Sequence, residues 1–471
     1  MTNYPTTSRG KGAHRVHQPS RLMLLAAMAT LMPGLCAAQA TAYYTLYSFK
    51  GDPDGANPKG AVVIGKDGTL YGTTYNGGTS RLGTVFELTP TKAVPWTETV
   101  LHNFNGPDGE YPESALAFGS TGALYGATPG GGSGGSGTLF ELAPPSISGG
   151  AWTETALGTF TYNGNSQNVE PNGAVLIGSG GTLYTTTQGA PIDGGIGPRL
   201  GSVIGLVPPA TQGGVWTEYE LYALGPSQGE WPLAGVVSES GSLFGTTLYG
   251  GDINCDCGTI YELTSPATPG GGWTETTIHT FTGSDGASPR DALTVGPGGV
   301  LYGTTQAGGS GSVCQANESG CGTVFQLTPP ATPGGAWTES VIYNFTGING
   351  DGAVPSASVV SDKNGVLYGT TQSGGSATSD SQCPSSFYVI AGCGIVFELT
   401  PPTTPAGSWT GKVLHIFSGQ NGDGAIPVAG LALSSTGALY GTTPAGGTAG
   451  KGTVFCHQAV TAGDASRAAS A

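Results

Sequence analysis

Seven copies of one short unit constrain this chain more than any other feature of its sequence. The tripeptide Leu-Tyr-Gly, or a near copy, recurs at steps of 54 to 72 residues, beginning at Leu70, Leu124, Leu183, Leu243, Leu301, Leu367 and Leu439. A second marker, Gly-Thr-Val-Phe-Glu-Leu and its variants, follows each copy, beginning at Gly83, Gly137, Gly201, Gly258, Gly322, Gly394 and Gly452. Self-similarity of this kind indicates a repeat architecture, in which each unit is one supersecondary element.

Each unit predicts four short β-strands, named A to D here. In the second unit they cover residues 115–118, 123–128, 138–142 and 152–157, and strand D begins at a third marker, Trp-Thr-Glu. Turn residues separate the strands, since 85 glycines and 33 prolines punctuate the 471 residues. Apolar residues within the strands alternate with period two, as in a half-buried strand. Four strands in every unit are typical of a propeller blade.

The distribution of strand D predicts how the ring closes. Strands A, B and C occur seven times, but strand D follows only six of those triplets. The missing copy matches residues 44–49 at the other end, where Tyr-Thr-Leu-Tyr-Ser-Phe resembles Thr-Val-Leu-His-Asn-Phe at residues 99–104. An N-terminal strand that completes the last blade removes an exposed sheet edge. We therefore expect an all-β, closed seven-bladed propeller over residues 41–458, followed by a short flexible tail at 459–471.

The first 40 residues predict a secretory signal peptide. Basic residues precede an apolar run over residues 22–35, and Ala38-Gln39-Ala40 forms a small-x-small cleavage site. The run is too short for a membrane span, and no Arg-Arg pair indicates the twin-arginine route. A bulky Leu35 before Cys36 argues against a lipoprotein. The expected mature chain is secreted by the general route to the periplasm or the extracellular space.

Charge limits the partners. Four of the 15 basic residues lie in the signal peptide, so eleven remain against 30 acidic residues. Such a chain repels nucleic acid and anionic lipid, and no later stretch is apolar enough to insert into a membrane. We expect a monomer without a cofactor.

The repeated motifs resemble a known family. Leu-Tyr-Gly-Thr-Thr, Gly-Gly, Gly-Thr-Val-Phe-Glu-Leu-Thr-Pro and Phe-x-Gly-x-Asp-Gly-x-x-Pro are similar to the GloVer tandem repeat across residues 43–457. The resemblance implies an exported bacterial envelope protein of the choice-of-anchor class, in which the C-terminal attachment device varies. Residues 459–471 carry no sorting motif or hydrophobic anchor, and the family supplies no catalytic residues to transfer.

The cysteines predict loop staples. Cys257, Cys321 and Cys393 share one place just before strand C, and each has an upstream cysteine in its own B–C loop. An oxidising compartment favours disulfides, and the expected pairs are Cys314–Cys321 and Cys383–Cys393. The alternative is a zinc site made of Cys255, Cys257, Cys314 and Cys321, although their spacing fits no common zinc pattern. Cys456 is left over, as a buried thiol or an intermolecular link.

No catalytic triad is evident. His102, His279 and His415 share a strand D position with tyrosines of other repeats, which predicts a packing role, and His457 is solitary. The five Asp-Gly turns of the D–A loops are expected to be tight turns. The alternative, a calcium site, would need more oxygen ligands than such short loops supply. These aspartates are Asp54, Asp108, Asp285, Asp351 and Asp423. No metal site is therefore predicted.

The topology places the D–A and B–C loops on one face, where recognition is expected. Large residues break the repeat there and are the predicted binding residues: Tyr111, Trp231, Arg290, Asp291, Phe387 and Tyr388. Aromatic rings beside charged groups suit sugars, although Tyr111 and Trp231 could simply pack beside the prolines that follow them.

The leading hypothesis is a non-catalytic propeller that binds a glycan or a surface protein on this face. One alternative is a carbohydrate-active lyase or hydrolase, which would need a carboxylate pair or a Tyr/Arg site near the central funnel. The candidate residues are Glu110, Glu113, Glu230 and Asp291. Another is a purely structural envelope protein.

Overall fold

The computed structural model describes residues 43–458 except 148, 162–168, 190–199, 212, 269–270, 312–313, 315–319, 333, 376–382, 384–391 and 405–406. The predicted signal peptide and tail lie outside the described residues. Seven four-stranded antiparallel sheets form the blades of a β-propeller, as the repeats predict. Within each sheet the strands lie in the order A, B, C, D. Strand A lies at the central channel, and strand D lies at the outer edge of the propeller.

The strands are short, and strand A is the shortest. Blade 1 contains strands Val63–Ile64, Leu70–Thr74, Thr84–Thr89 and Thr97–Asn103, and blade 2 contains Ala117–Phe118, Leu124–Thr128, Gly135–Ala143 and Thr153–Thr161. Blade 3 contains Leu176–Ile177, Leu183–Thr187, Ser202–Val207 and Thr217–Ala223, and blade 4 contains Val237–Glu239, Ser242–Thr247, Thr259–Thr264 and Thr274–Thr280. Blade 5 contains Thr294–Val295, Leu301–Thr305, Thr323–Thr328 and Thr338–Asn344, and blade 6 contains Val360–Ser361, Leu367–Thr371, Ile395–Thr400 and Thr410–Ile416. Blade 7 contains Ala432–Leu433, Ala438–Thr443 and Thr453–Gln458, completed by Tyr43–Ser48. Two single turns of 3-10 helix, Ser179–Gly181 and Pro297–Gly299, join strands A and B of blades 3 and 5.

The N-terminal strand closes the ring. Tyr43–Ser48 pairs antiparallel with Thr453–Gln458, so that Tyr43 faces His457 and Ser48 faces Thr453. Leu46 and Phe49 are fully buried in the core of this junction. The split of one blade between the two ends of the chain, predicted from the count of strand D, is confirmed.

Repeated aromatic contacts hold neighbouring blades together. A Phe at the end of strand D packs edge-to-face on a Phe in strand C of the next blade, with ring centroids 5.1 Å apart for Phe49 and Phe86 and 5.3 Å for Phe104 and Phe140. The glycine of Leu-Tyr-Gly makes room for this ring, because a Cβ on Gly72 would lie 2.7 Å from the Phe86 ring. Blade 3 carries Thr185 and Ile204 at the corresponding two positions, so the larger residue on strand B accompanies the smaller one on strand C.

Every pairing of strands C and D contains a β-bulge at one equivalent position, and blade 2 has a second register shift between Gly135 and Thr138. In blade 1 the register shifts between Val85 and Phe86, so that Leu101 has no opposite residue. The same shift occurs in the other blades, including blade 7, where it skips Leu46. A bulge increases the local twist of the strands. The simple alternation predicted for strand D therefore holds only on either side of this point.

Short ribbons join the D–A and B–C loops on one face. Gly55–Ala56 pairs with Asn76–Gly77, Gly352–Ala353 with Ser373–Gly374, and Gly424–Ala425 with Ala445–Gly446. Elsewhere single bridges serve the same purpose, as between Glu230 and Tyr249. The two sets of loops thus form one continuous surface, called the ribbon face below.

The B–C loops of blades 4, 5 and 6 each contain one internal disulfide. Cys314–Cys321 and Cys383–Cys393 are paired as predicted, and Cys255–Cys257, which the sequence left open, is paired as well. These pairs contradict the alternative zinc site, since disulfide sulfurs are not thiolate ligands. Cys456 is fully buried in strand C of blade 7, which disfavours an intermolecular link.

Removing the Cys383–Cys393 pair is expected to lower the free energy of unfolding by about 2–3 kcal/mol, because the bridge closes a loop of roughly ten residues in the unfolded chain. The double variant Cys383→Ala/Cys393→Ala measures this loss in urea denaturation. Cys255→Ala/Cys257→Ala is the comparison, with a loss of about 1.5 kcal/mol for its much shorter loop. Equal losses would contradict the loop-closure explanation.

Candidate functional site

Seven equivalent tripeptides line the central channel just before strand A of each blade. They follow the proline that ends each D–A loop, and they are 59–61, 113–115, 172–174, 233–235, 290–292, 356–358 and 428–430. Their third residue is Ala, Gly or Ser throughout, and these small side chains let the seven segments approach the channel axis closely. The first residue differs in every blade and includes Lys59, Glu113 and Arg290. The channel holds about 210 Å³, less than the roughly 300–1,000 Å³ of typical small-molecule pockets.

The residue before each of these prolines has left-handed backbone geometry. Its φ lies between 55° and 60° at Asn57, Tyr111, Glu170, Trp231, Ser288, Val354 and Ile426. Such values are uncommon for residues other than glycine and genuine outliers for Val and Ile. Backbone hydrogen bonds hold the conformation: Tyr111 N donates to Leu82 O at 2.8 Å, and Ile426 N donates to Cys393 O at 2.8 Å. The ring of strained residues therefore gives Tyr111 and Trp231 fixed, equivalent positions on the ribbon face.

Threonine hydroxyls link the channel segments of neighbouring blades. The first Thr of Leu-Tyr-Gly-Thr-Thr donates to the second residue of the next tripeptide, as Thr442 does to Gly60 O at 3.0 Å and Thr304 to Ala357 O at 2.9 Å. Blade 2 has Ala127 at this position. These bonds support the part of the ribbon face that surrounds the channel, called the rim below. The candidate binding residues lie on this rim.

A charged and aromatic cluster lies on the rim at blades 1 and 2. The Lys59 ammonium lies 3.3 Å from the centroid of the Tyr75 ring, and Tyr75 stacks on Tyr111 with centroids 5.1 Å apart. Lys59 also pairs with Glu113 at 2.9 Å, with about a third of each side chain exposed. All four side chains are partly exposed. The cluster combines a cation over an aromatic face with a carboxylate beside it.

Arg290 and Asp291 lie in blade 5 and have different environments. Arg290 is exposed at the channel. The Asp291 carboxylate accepts hydrogen bonds from Ala292 N at 2.7 Å and from Ser358 N of the next blade at 2.6 Å. Burial raises the pKa of Asp291. Its two bonds to backbone amides give Asp291 a structural role between blades 5 and 6, and its part in ligand binding stays a prediction.

Trp231 lies on the rim of blade 4 beside Tyr249, with ring centroids 5.5 Å apart in an edge-to-face arrangement. Glu230 forms two backbone hydrogen bonds with Tyr249, at 2.8 Å and 3.1 Å, which fix the loop that carries Trp231. Burial and the nearby Asp256 raise the pKa of the Glu230 carboxyl. Trp231 and Tyr111 both contact a tyrosine from the adjoining B–C loop.

The predicted binding residues are thus only partly brought together. Tyr111 belongs to the cluster with Lys59, Tyr75 and Glu113, whereas Trp231 lies two blades away at the equivalent position. Arg290 and Asp291 line the channel, and Phe387 and Tyr388 lie outside the described residues. Tyr75 and Tyr249 were not predicted from the sequence, although both are aromatic residues near the start of a B–C loop. Other blades carry Pro, Gln or Leu at the position of Tyr75 and Asn, Gly, Ala or Ser at the position of Tyr249.

The strand D histidines have a packing role, as predicted, and a polar role besides. His102 packs edge-to-face on Phe104 at 4.9 Å, and its Nε2 lies 3.1 Å from Asp108. Asp108 in turn accepts the N–H of Asn105 at 2.8 Å. The same arrangement recurs with Tyr343 and Asp351, whose hydroxyl–carboxylate distance is 3.2 Å. The Asp-Gly aspartates therefore fix their own turns, as expected.

A cavity on the outside of strand Tyr43–Ser48, which the sequence did not predict, holds about 690 Å³. It is lined by three tyrosines of the N-terminal strand, by Val94 and Pro95, and by the D–A loop between blades 6 and 7. Two of its tyrosines have structural roles. Tyr43 stacks on His415 with centroids 3.6 Å apart, and the Tyr47 hydroxyl donates to Asp54 at 3.1 Å.

The fold and its repeats define a seven-bladed propeller of tandem-repeat type. The chain belongs to the Gloeobacter/Verrucomicrobia repeat family, whose profile matches residues 36–197, 158–382 and 311–467. The resemblance drawn from the sequence is confirmed. A comparison with curated proteins finds no significant match.

Several solved structures are similar at low identity. An ulvan lyase of polysaccharide lyase family PL25, bound to a GlcA–Rha3S ligand, is 10% identical with a TM-score of 0.41, covering 83% of this chain and 97% of that one. An α-L-arabinanase of Penicillium chrysogenum complexed with arabinobiose is 13% identical with a TM-score of 0.41, covering 72% and 91%. The extracellular domain of a one-component system from B. thetaiotaomicron is 12% identical with a TM-score of 0.48, covering 89% of this chain and 43% of that one. At this level, similarity gives no information about activity.

The three disulfides indicate an extracellular or periplasmic protein, because such bonds persist in oxidising compartments. Among the residues that the structure describes, none forms a helix that is long and apolar enough to cross a membrane.

Proposed function

We propose that this protein is an exported, non-catalytic propeller that binds a glycan on its ribbon face, after secretion by the general route. The observation that supports it is the rim cluster of Lys59, Tyr75, Tyr111 and Glu113, with the Trp231–Tyr249 pair two blades away. Sugar rings present apolar faces to aromatic side chains and hydroxyl edges to charged groups. Because the channel is narrow, a glycan is expected to bind across the rim and not inside the channel.

The two aromatic rim residues are held at both backbone and side chain. Backbone hydrogen bonds hold the main chain of Tyr111 and Trp231, and their rings pack on Tyr75 and Tyr249, which limits the conformational freedom that they can lose on binding. A preorganised site of this kind favours affinity, because less ordering of loops is needed.

Affinity electrophoresis tests the proposal. The chain of residues 41–471 is run in native gels cast with a panel of polysaccharides, and one or more should retard it selectively. Tyr111→Ala and Trp231→Ala should each reduce that retardation at least tenfold in apparent affinity, because each removes an aromatic platform. Phe118→Ala is the matched control, since Phe118 is a partly exposed aromatic residue in strand A, 37% exposed and away from the rim residues.

Two outcomes would overturn the proposal. Absence of retardation by every polysaccharide would exclude the glycan class and favour a surface protein or a purely structural role. Retardation that persists in both rim variants would place the ligand elsewhere, and the cavity beside Tyr43–Ser48 would then be the next site to test.

A carbohydrate-active enzyme is the second candidate, and one observation favours it. Glu230 carries a raised pKa beside Asp256 on the ribbon face, as a general acid requires. Product formation from a retarding polysaccharide that Glu230→Gln abolishes, with retardation unchanged, would support an enzyme over a binding protein.

A further inference from the structure

Three positions meet where strands D of certain neighbouring blades lie side by side. In these pairs one blade supplies the His or Tyr near the end of its strand D and the residue before the Gly of its D–A loop, and the next blade supplies the Glu of its Trp-Thr-Glu marker. Other blades depart from this set, since blade 2 carries Gly158 at the His or Tyr position and blade 6 carries Gly411 at the Glu position. The three residues are Tyr47, Asp54 and Glu98 at the junction of blades 7 and 1, and they differ from junction to junction.

The junctions of blades 1 and 2 and of blades 4 and 5 carry His, Asp and Glu together. At the first, one ligand atom each from His102, Asp108 and Glu154 lies within 4.8 Å of the others. At the second, His279, Asp285 and Glu339 do the same. His102 Nε2 lies 3.1 Å from Asp108, and His279 Nε2 lies 3.2 Å from Asp285.

In each triad one carboxylate oxygen is buried without a hydrogen-bond donor. Oε1 of Glu154 and Oε1 of Glu339 are both inaccessible to solvent and accept no hydrogen bond from the residues that the structure describes. A buried carboxylate oxygen of this kind needs compensation by a donor or a cation. Each oxygen belongs to a glutamate within coordination range of its own His–Asp pair. One ion at each triad can therefore satisfy it.

We propose that each of these two triads binds one divalent transition-metal ion, with zinc as the best match to its donors. Calcium and magnesium prefer ligand sets made of oxygen atoms only, so the imidazole nitrogen argues against both ions. Zinc binds His nitrogen and carboxylate oxygen at about 2.0–2.2 Å, which puts tetrahedral ligand atoms about 3.4 Å apart and matches the His–Asp distances. Two carboxylates and a neutral imidazole offset the ion's charge, and water fills the fourth position.

The bound ion connects the outermost strands of two blades. His102 lies on strand D of blade 1, and Glu154 lies on strand D of blade 2. Strands D face no further strand on their outer side, so a metal bridge acts where the backbone hydrogen bonds of the blades end. The triad residues are not among the rim residues of the proposed glycan surface, and the proposal does not depend on that function.

Zinc stoichiometry tests the proposal. Residues 41–471 without a histidine tag are stripped with EDTA and dialysed against micromolar zinc chloride, and bound zinc is measured by atomic emission. We expect two ions per chain for the wild type, one for His102→Tyr and none for His102→Tyr/His279→Tyr. Tyrosine is the substitution of choice because the chain itself uses Tyr47 and Tyr343 at this position, so the blades should still fold.

His415→Tyr is the matched control. His415 pairs with Asp423 at 3.2 Å like the other two histidines, but Tyr43 occupies the place of the glutamate. This variant should keep two ions. Cobalt(II) gives a second readout, since its visible absorption should fall by half in His102→Tyr and vanish in the double variant. Zinc binding that the double variant retains, or none to the wild type, would overturn the proposal.

Discussion

Deletion of residues 41–50 is expected to abolish cooperative unfolding and leave an aggregation-prone chain. The strand Tyr43–Ser48 supplies the outer strand of blade 7 and buries Leu46 and Phe49 completely. Burying each such side chain contributes about 1.5–3 kcal/mol, and the lost strand pairing and blade contacts add to this. Their sum is comparable to the whole stability of a domain, about 5–15 kcal/mol.

The deletion also exposes what the strand covers. Phe49 packs on Phe86 of blade 1, and Trp96 N donates to Leu46 O at 2.8 Å, so both neighbouring blades lose contacts. Strand Thr453–Gln458 becomes a free edge that can pair with another chain. Calorimetry and light scattering of residues 51–471 measure both effects. Phe49→Ala, a milder change, should cost about 3–5 kcal/mol.

A circular permutant separates loss of the strand from loss of chain length. In it, residues 43–50 are appended after Gln458 through a copy of the C–D loop of residues 328–337, and the chain begins at Gly51. Cooperative unfolding should return, because strand D then follows strand C as in the other six blades. Wild-type unfolding of the deleted chain would show that the ring does not need this strand.

The sequence predicted the ring because each unit repeats features with a direct physical meaning. The glycine of Leu-Tyr-Gly leaves space for a Phe ring, and the Trp-Thr-Glu marker begins strand D. The missing seventh strand D pointed to Tyr43–Ser48 for the same reason. Comparison of seven copies shows what the fold needs, since each copy solves the same packing problem.

The site was less predictable because it depends on contacts between different units. Asp291 is one of the predicted binding residues, and its carboxylate accepts hydrogen bonds from the amides of Ala292 and Ser358. Ser358 is 67 residues from Asp291 along the chain. The two meet because the blades close into a ring, which the local sequence does not show. Tyr75 joins Lys59 and Tyr111 in the same way. The triads of His, Asp and Glu combine three repeated positions that look ordinary when each is considered alone.

Gly229→Ala is expected to lower the free energy of unfolding by roughly 3 kcal/mol, from positive φ and overpacking together. Gly229 has a φ of 122°, and a Cβ there would lie 2.6 Å from Thr247 Cβ and 2.6 Å from Thr259 Oγ1. These two threonines are buried and share a hydrogen bond of 2.9 Å. The D–A loop must therefore move outward to admit even one methyl group.

Gly241→Ala provides the control within blade 4. Its φ of 89° is also positive, but a Cβ there would meet nothing within 4 Å. We expect a loss of only about 1 kcal/mol, from backbone strain alone. Urea denaturation measures both variants, and equal losses would contradict a steric role for the threonine pair. Because Glu230 and Trp231 follow Gly229 directly, Gly229→Ala should also weaken glycan retardation, whereas Gly241→Ala should leave it unchanged. The threonine pair would then support both the stability of the blade and the position of its aromatic rim residue.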